Sequence, residues 1–157
     1  MNELTELMNH TYNLCEDENF EDALAYFDAI LVKDPTNVDI LVDKGVTLAN
    51  LEKFDEAIEC YEKVLKLDKN NYSAWVNKGI VLHSMEKHLE AIFCYNEALK
   101  IEPQLIPLII NKGLALGELR RYDEAIWHFD RVLKIDNAHE IALKNKEIAM
   151  ELKNKAA

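Results

Sequence analysis

Three of the four glycines in this 157-residue chain, Gly45, Gly79 and Gly113, stand 34 residues apart, and that period constrains the fold more than any other feature. Residues 38–71 laid over 72–105 agree at 13 of 34 positions; unrelated segments would share about two, so the repeat is read before any local motif. Lys44/Lys78, Leu48/Leu82, Ala57/Ala91, Cys60/Cys94 and Tyr61/Tyr95 are among the matches. A further copy, 106–139, keeps Lys112, Gly113, Leu116, Ala125, Phe129, Val132 and Leu133. Residues 4–37 form a weaker copy, in which Thr11 takes the glycine position while Ala23, Phe27, Ile30 and Pro35 stay in register. The chain thus reads as four blocks (4–37, 38–71, 72–105 and 106–139) and a tail, 140–157, in a single domain over 1–157.

Each block carries two helical stripes, such as Trp75, Gly79 and Leu82, then Ala91, Tyr95, Ala98 and Leu99. The break between them, residues 85–88, is short and polar, which predicts antiparallel neighbours. Acids open the second helices (Glu21, Asp22, Asp55, Glu56, Glu90, Asp123, Glu124) and Lys66, Lys100 and Lys134 stand near three of their ends, the placement a helix dipole favours. Pro35 and Pro103 stop two of them. A glycine inside a helix costs roughly 1 kcal/mol relative to alanine, so its recurrence calls for close backbone approach. The expectation is that Gly45 meets Ala57 where paired helices cross, with Tyr61, Tyr95 and Phe129 filling the space between successive pairs. The tail begins like a fifth first helix with Ile141, Leu143 and Met150, but Glu147 at the glycine position makes it a solvating cap.

These residues resemble the tetratricopeptide repeat family over nearly the whole chain. The family pattern runs from a bulky residue through a large residue followed by Gly, then an aromatic or aliphatic, Ala, an aromatic, Ala and Pro. Residues 72–105 meet it with Trp75, Lys78-Gly79, Leu82, Ala91, Tyr95, Ala98 and Pro103. Two copies lack the final Pro and carry Lys69 and Asn137 there. The resemblance implies an all-α fold, a right-handed α-solenoid of four helix pairs plus a C-terminal capping helix.

Composition closes off the other classes. At 49% hydrophobic and 30% charged, with four Gly, three Pro and three Cys, the chain is neither disordered, collagen-like nor a disulfide scaffold. A net charge of −11 argues against nucleic acid or an anionic membrane surface as partner. No apolar leader follows Met1, and the longest strongly apolar stretch, residues 105–110, is interrupted by Pro107, so no membrane insertion and a cytoplasmic location are expected. Cys15, Cys60 and Cys94 are odd in number, which suits a reducing compartment. The sequons at Asn9 and Asn71 are read as accidental in that setting.

No phosphate loop, zinc-protease helix, CxxC or nucleophile elbow occurs. His83 and His88 flank a turn at a spacing of five, off the spacing for two metal ligands on one helix face. Cys60, Cys94 and His128 occupy one repeat position; helices about 8–10 Å apart cannot bring such residues to disulfide or shared-zinc distance, so they read as packing. Exposed pairs such as Asp55-Glu56 suit helix starts without a further role. No enzyme, cofactor or metal is expected.

What remains is surface. The resemblance implies that the first helix of each pair lines a concave groove, here with Met8, Tyr12, Val42, Asp43, Val46, Val76, Asn77, Ile80, His83, Ile110, Asn111 and Leu114. Ile141 and Ile148 of the tail extend the row. An apolar strip rimmed by polar groups is the signature of a contact surface. Asn77 and Asn111 match a position where related superhelical proteins bond the backbone of an extended peptide, since an amide both donates and accepts. The ladder Lys44, Lys78, Lys112, Lys146 reads as stems lying over core helices. A subgroup that clamps C-terminal carboxylates needs cations where this chain has Met8, Tyr12, Asp43, Ser73 and Asn77, so that activity is excluded. The expected function is a protein-binding scaffold that takes an apolar peptide or helix of a partner. The alternative is a self-assembling homo-oligomer, suggested by Leu105, Ile106 and Ile110 crowded around Pro107.

Overall fold

The computed structural model describes residues 3–156, which form nine α-helices and no strand among the described residues. They are α1 (Glu3–Glu16), α2 (Phe20–Lys33), α3 (Val38–Asn50), α4 (Phe54–Leu67), α5 (Tyr72–Ser84), α6 (His88–Ile101), α7 (Ile106–Glu118), α8 (Tyr122–Ile135) and α9 (Glu140–Ala156). The chain separates into two compact units, one ending at Val81 and the other beginning at Leu82, inside α5. In the first unit α1 packs on α2, α2 on α3 and α3 on α4. In the second, α6 packs on α7, α7 on α8 and α8 on α9.

The turn inside each helix pair has one geometry. Glu18, Glu52, Glu86 and Arg120 sit at φ near 60°, in the left-handed region where glycine would carry no steric penalty. The next residue then donates its N–H back five positions: Asn19 to Leu14, Lys53 to Leu48, Lys87 to Leu82 and Arg121 to Leu116, at 2.8–2.9 Å. This bond satisfies a carbonyl that the helix end would otherwise leave unpaired.

Between pairs the chain uses side chains. The Asn37 and Asn71 amide oxygens accept from the Ile40 and Ala74 N–H groups at 3.1 and 2.9 Å, capping α3 and α5. Where proline is missing after a second helix, an aspartate takes over: Asp68 accepts from Asn70 N–H at 2.9 Å and Asp136 from Ala138 N–H at 3.1 Å. Such local bonds compete with helix continuation.

The first unit's core gathers Ala23, Phe27, Ile30 and Ile40, all fully buried, with Leu7 and Leu14 of α1 packed against them. The glycine contact differs from the expectation. Ala57 is buried, but a Cβ on Gly45 would lie 2.5 Å from the Tyr61 ring, and one on Gly113 would lie 2.7 Å from the Phe129 ring. The second-helix aromatic therefore lies over the glycine of its own pair. The small residue accommodates a flat ring.

Candidate functional site

Eight of the twelve expected groove residues fall into two rows of equivalent repeat positions that differ in exposure. Met8, Val42 and Val76 are only partly exposed, Met8 being packed against the first unit's core. Ile110, at the same position, is 6% exposed and is corrected from a groove residue to a core residue. Leu108, Ile109 and Ile110 are all buried at the start of α7, and no amphipathic helix leaves three consecutive aliphatics in solvent. The second row lies four residues further along each helix. Val46 and Ile80 are 37% and 41% exposed, Ile148 on α9 is 43% exposed, and Tyr12 and Leu114 are half-buried.

In the first unit a cleft of about 320 Å³ brings together Tyr12, Cys15, Asp43, Val46, Thr47 and Asn50. The Tyr12 hydroxyl lies near enough to the Asp43 carboxylate for each to shift the other's titration. Burial raises the Asp43 pKa and the nearby Asp39 adds to it, against the opposing pull of the Tyr12 hydroxyl. Burial also pushes the Tyr12 phenol up to about 12, with Asp43 contributing. The wall of this cleft is thus anionic and apolar, with no cation among its lining residues.

In the second unit Leu114 lines a cleft of about 350 Å³ with Gly117, Tyr122, Asn145, Ile148 and Leu152. Asn145 and Leu152 went unnoticed in the sequence, although they lie three before and four after Ile148, on its helix face. His83 and Asn111 are half-buried. The His83 ring meets His88 edge-on at 5.1 Å; burial and then His88 lower its pKa, against Glu118. Among the described residues no three His, Cys, Asp or Glu side chains group to hold a metal ion.

The lysine ladder consists of ion pairs. Lys44 meets Asp28 at 2.5 Å, Lys78 meets Glu62 at 2.8 Å and Lys146 meets Asp130 at 2.6 Å. Each joins a first helix to the second helix before it. The sequence reading missed this, although an acid sits sixteen residues before each of these lysines. Cys60 and Cys94 are buried thiols, and burial raises the Cys60 pKa. No described helix is long and apolar enough to cross a membrane.

Among curated proteins no sequence matches the chain. Solved structures share the fold at low identity. A tetratricopeptide repeat protein from Parabacteroides merdae superposes with a TM-score of 0.90 at 21% identity, covering 97% of this chain and 60% of that one. MamA superposes at 0.87 with 22% identity, covering 98% and 85%. YrrB, a TPR protein with an unusual peptide-binding site, superposes at 0.80 with 24% identity, covering 94% and 76%. The pattern of the tetratricopeptide repeat matches residues 38–71, 72–105 and 106–139. With the 34-residue period, the paired helices and these matches in register, the chain belongs to the tetratricopeptide repeat family, an all-α helical-repeat solenoid of the kind that serves as a protein–protein interaction scaffold.

Proposed function

We propose that the chain is a non-catalytic adaptor that holds an apolar segment of a protein partner against its first helices. The observation that carries this reading is the exposure of Val46 and Ile80, 37% and 41%, at the same position of successive first helices. Aliphatic side chains repeated in solvent at one position are what a contact surface requires. In the first unit Tyr12, Val46 and Ile80 supply apolar contact while Asp43 disfavours an acidic ligand. In the second, Leu114 and Ile148 do so, and Asn77 of the first unit and Asn111 of the second are assigned to the partner's backbone. Peptide binding by a neighbour of the same fold, YrrB, is consistent with this use. The reading takes 1–157 as one array with the first repeat at 4–37 and a cap over 140–157, working without cofactor in a reducing, cytoplasmic setting. The test is affinity capture with the wild type and with Val46→Glu/Ile80→Glu. Partners are lost from the variant while its helical circular dichroism stays unchanged; partners retained at wild-type levels would refute the reading.

A second reading, self-association, is favoured by α9, where Ile141, Leu143 and Met150 are 55%, 46% and 47% exposed. It no longer draws on Ile110, which is buried. Light scattering across a hundredfold concentration range decides it: a dimer abolished by Leu143→Glu/Met150→Glu supports self-association, and a monomer throughout removes it.

A further inference from the structure

The environments of Cys60 and His128, two repeats apart at the same position, differ in charge. Around Cys60 stand Lys44, Lys63, Asp28 and Glu59, two cations and two anions. The residues at the corresponding places around His128 are Lys112, Arg131, Asn96 and Trp127: both cations are kept and both acids are gone. Lys112 and Arg131 are indeed felt at His128, and Glu124 is the acid felt there. Glu124 is already engaged, taking two bonds from Arg121 at 2.6 and 2.7 Å. The rung that Lys44, Lys78 and Lys146 each complete with an acid does not form at Lys112 among the described residues, because Asn96 stands in the acid's place. Lys112 is half-buried, and Arg131 and Arg121 both bear on it.

Two further observations mark the spot. His128 is 4% exposed, and its Nδ1 has no hydrogen-bond partner among the described residues. Beside it Trp127 is 57% exposed, packed edge-on against the His128 ring at 4.8 Å, with the Arg131 guanidinium 5.2 Å from the indole centroid. An exposed indole with a cation over its face, next to a half-buried ammonium without its acid, suits a ligand that brings both a carboxylate and an apolar body.

We propose that the α7–α8 surface around Lys112, Arg131 and Trp127 docks an acidic segment of a protein partner, with a carboxylate from the partner in the place that Asp28 and Glu59 fill two repeats earlier. A carboxylate is favoured because that is the group the chain itself places beside the equivalent lysines. It uses none of the residues of the Val46 and Ile80 row, and its preference is opposite: acidic here, non-acidic beside Asp43.

The test uses the full chain, isotope-labelled, with the Trp127 indole and His128 ring resonances as reporters. The probe is the peptide acetyl-Glu-Leu-Glu-Leu-Glu-amide, with inorganic phosphate as a separate arm. The peptide shifts both reporters saturably and leaves the Trp75 indole in place. Asn96→Asp, which supplies the carboxylate within the chain and restores the residue type found at Asp28 and Asp130, weakens peptide binding at least tenfold, as does Lys112→Met. No saturable shift, binding unaltered by both variants, or a shift that includes Trp75 would each overturn the proposal. Phosphate acting at the same concentration as the peptide would overturn it too, by making the spot a free-oxyanion site.

Discussion

Gly113 and Gly117 lie four residues apart in α7, and the same substitution at each should act in opposite directions. Alanine at either gains up to about 1 kcal/mol of helix propensity. At Gly117 nothing lies within 4 Å of the new methyl group, so the gain stands, trimmed by its place in the last turn. At Gly113 the methyl would meet Phe129 Cε1 at 2.7 Å and Cζ at 3.0 Å, where carbon atoms rest at about 3.5–4.0 Å. The ring is 2% exposed and must withdraw by roughly 1 Å into packed surroundings, an overpacking cost of about 1–3 kcal/mol. Net, Gly113→Ala is expected to be destabilised by up to about 2 kcal/mol and Gly117→Ala to be stabilised by less than about 1. At about 2–4 °C per kcal/mol for a chain of this size, the two melting midpoints should differ by several degrees. Thermal and urea unfolding followed by circular dichroism measures this. In a Phe129→Leu background the Gly113→Ala penalty should shrink, which ties it to the ring. If both alanines raise the midpoint equally, the ring-on-glycine account of the repeat is wrong.

Two further outcomes follow from the turn and from the buried histidine. Glu52 holds φ at 58°, so Glu52→Gly relieves left-handed strain and should raise the urea midpoint by the equivalent of about 0.5–1 kcal/mol, while Glu52→Ala stays near neutral; a destabilised glycine variant would contradict the turn geometry. His128 has its pKa lowered to about 4, first by burial and then by Lys112 and Arg131. Its neutral form is the folded form, so its contribution is complete above the unfolded value near 6.5 and is lost as pH falls from there toward 4, on the order of 2–3 kcal/mol. His128→Cys, the residue type at Cys60 and Cys94, should flatten that part of the stability profile measured between pH 7 and 4.5; an unchanged profile would show that His128 is not held neutral by the fold.

Much of this architecture could be read from the chain because the period repeats the same information. Gly45, Gly79 and Gly113 fix the register, and the polar breaks fall where the helices end: the expected interruption at residues 85–88 meets a helix ending at Ser84 and another starting at His88. Side-chain direction was less legible. Equal spacing placed Ile110 with Val42 and Val76, yet α7 opens with three aliphatics in a row, and periodicity alone does not say which of them faces out. The partner of Gly45 was misread for a similar reason. Ala57 and Tyr61 share a face of α4, and only the ring's rotamer decides which one covers the glycine. The left-handed turn residues gave no signal, since Glu18, Glu52, Glu86 and Arg120 are not the glycine or asparagine that usually marks such a position. The lysine rungs were readable in principle, because each acid sits at a fixed offset.

Val46 and Leu114 directly follow the two glycines that receive an aromatic ring, Gly45 and Gly113, and Val46 is exposed while its glycine is buried. What the interior demands and what the exterior displays are therefore adjacent in sequence but answer to different constraints. Mutation can rewrite the displayed residue while its neighbour keeps the hairpin intact, so a lineage carrying this scaffold could change its binding preferences one substitution at a time.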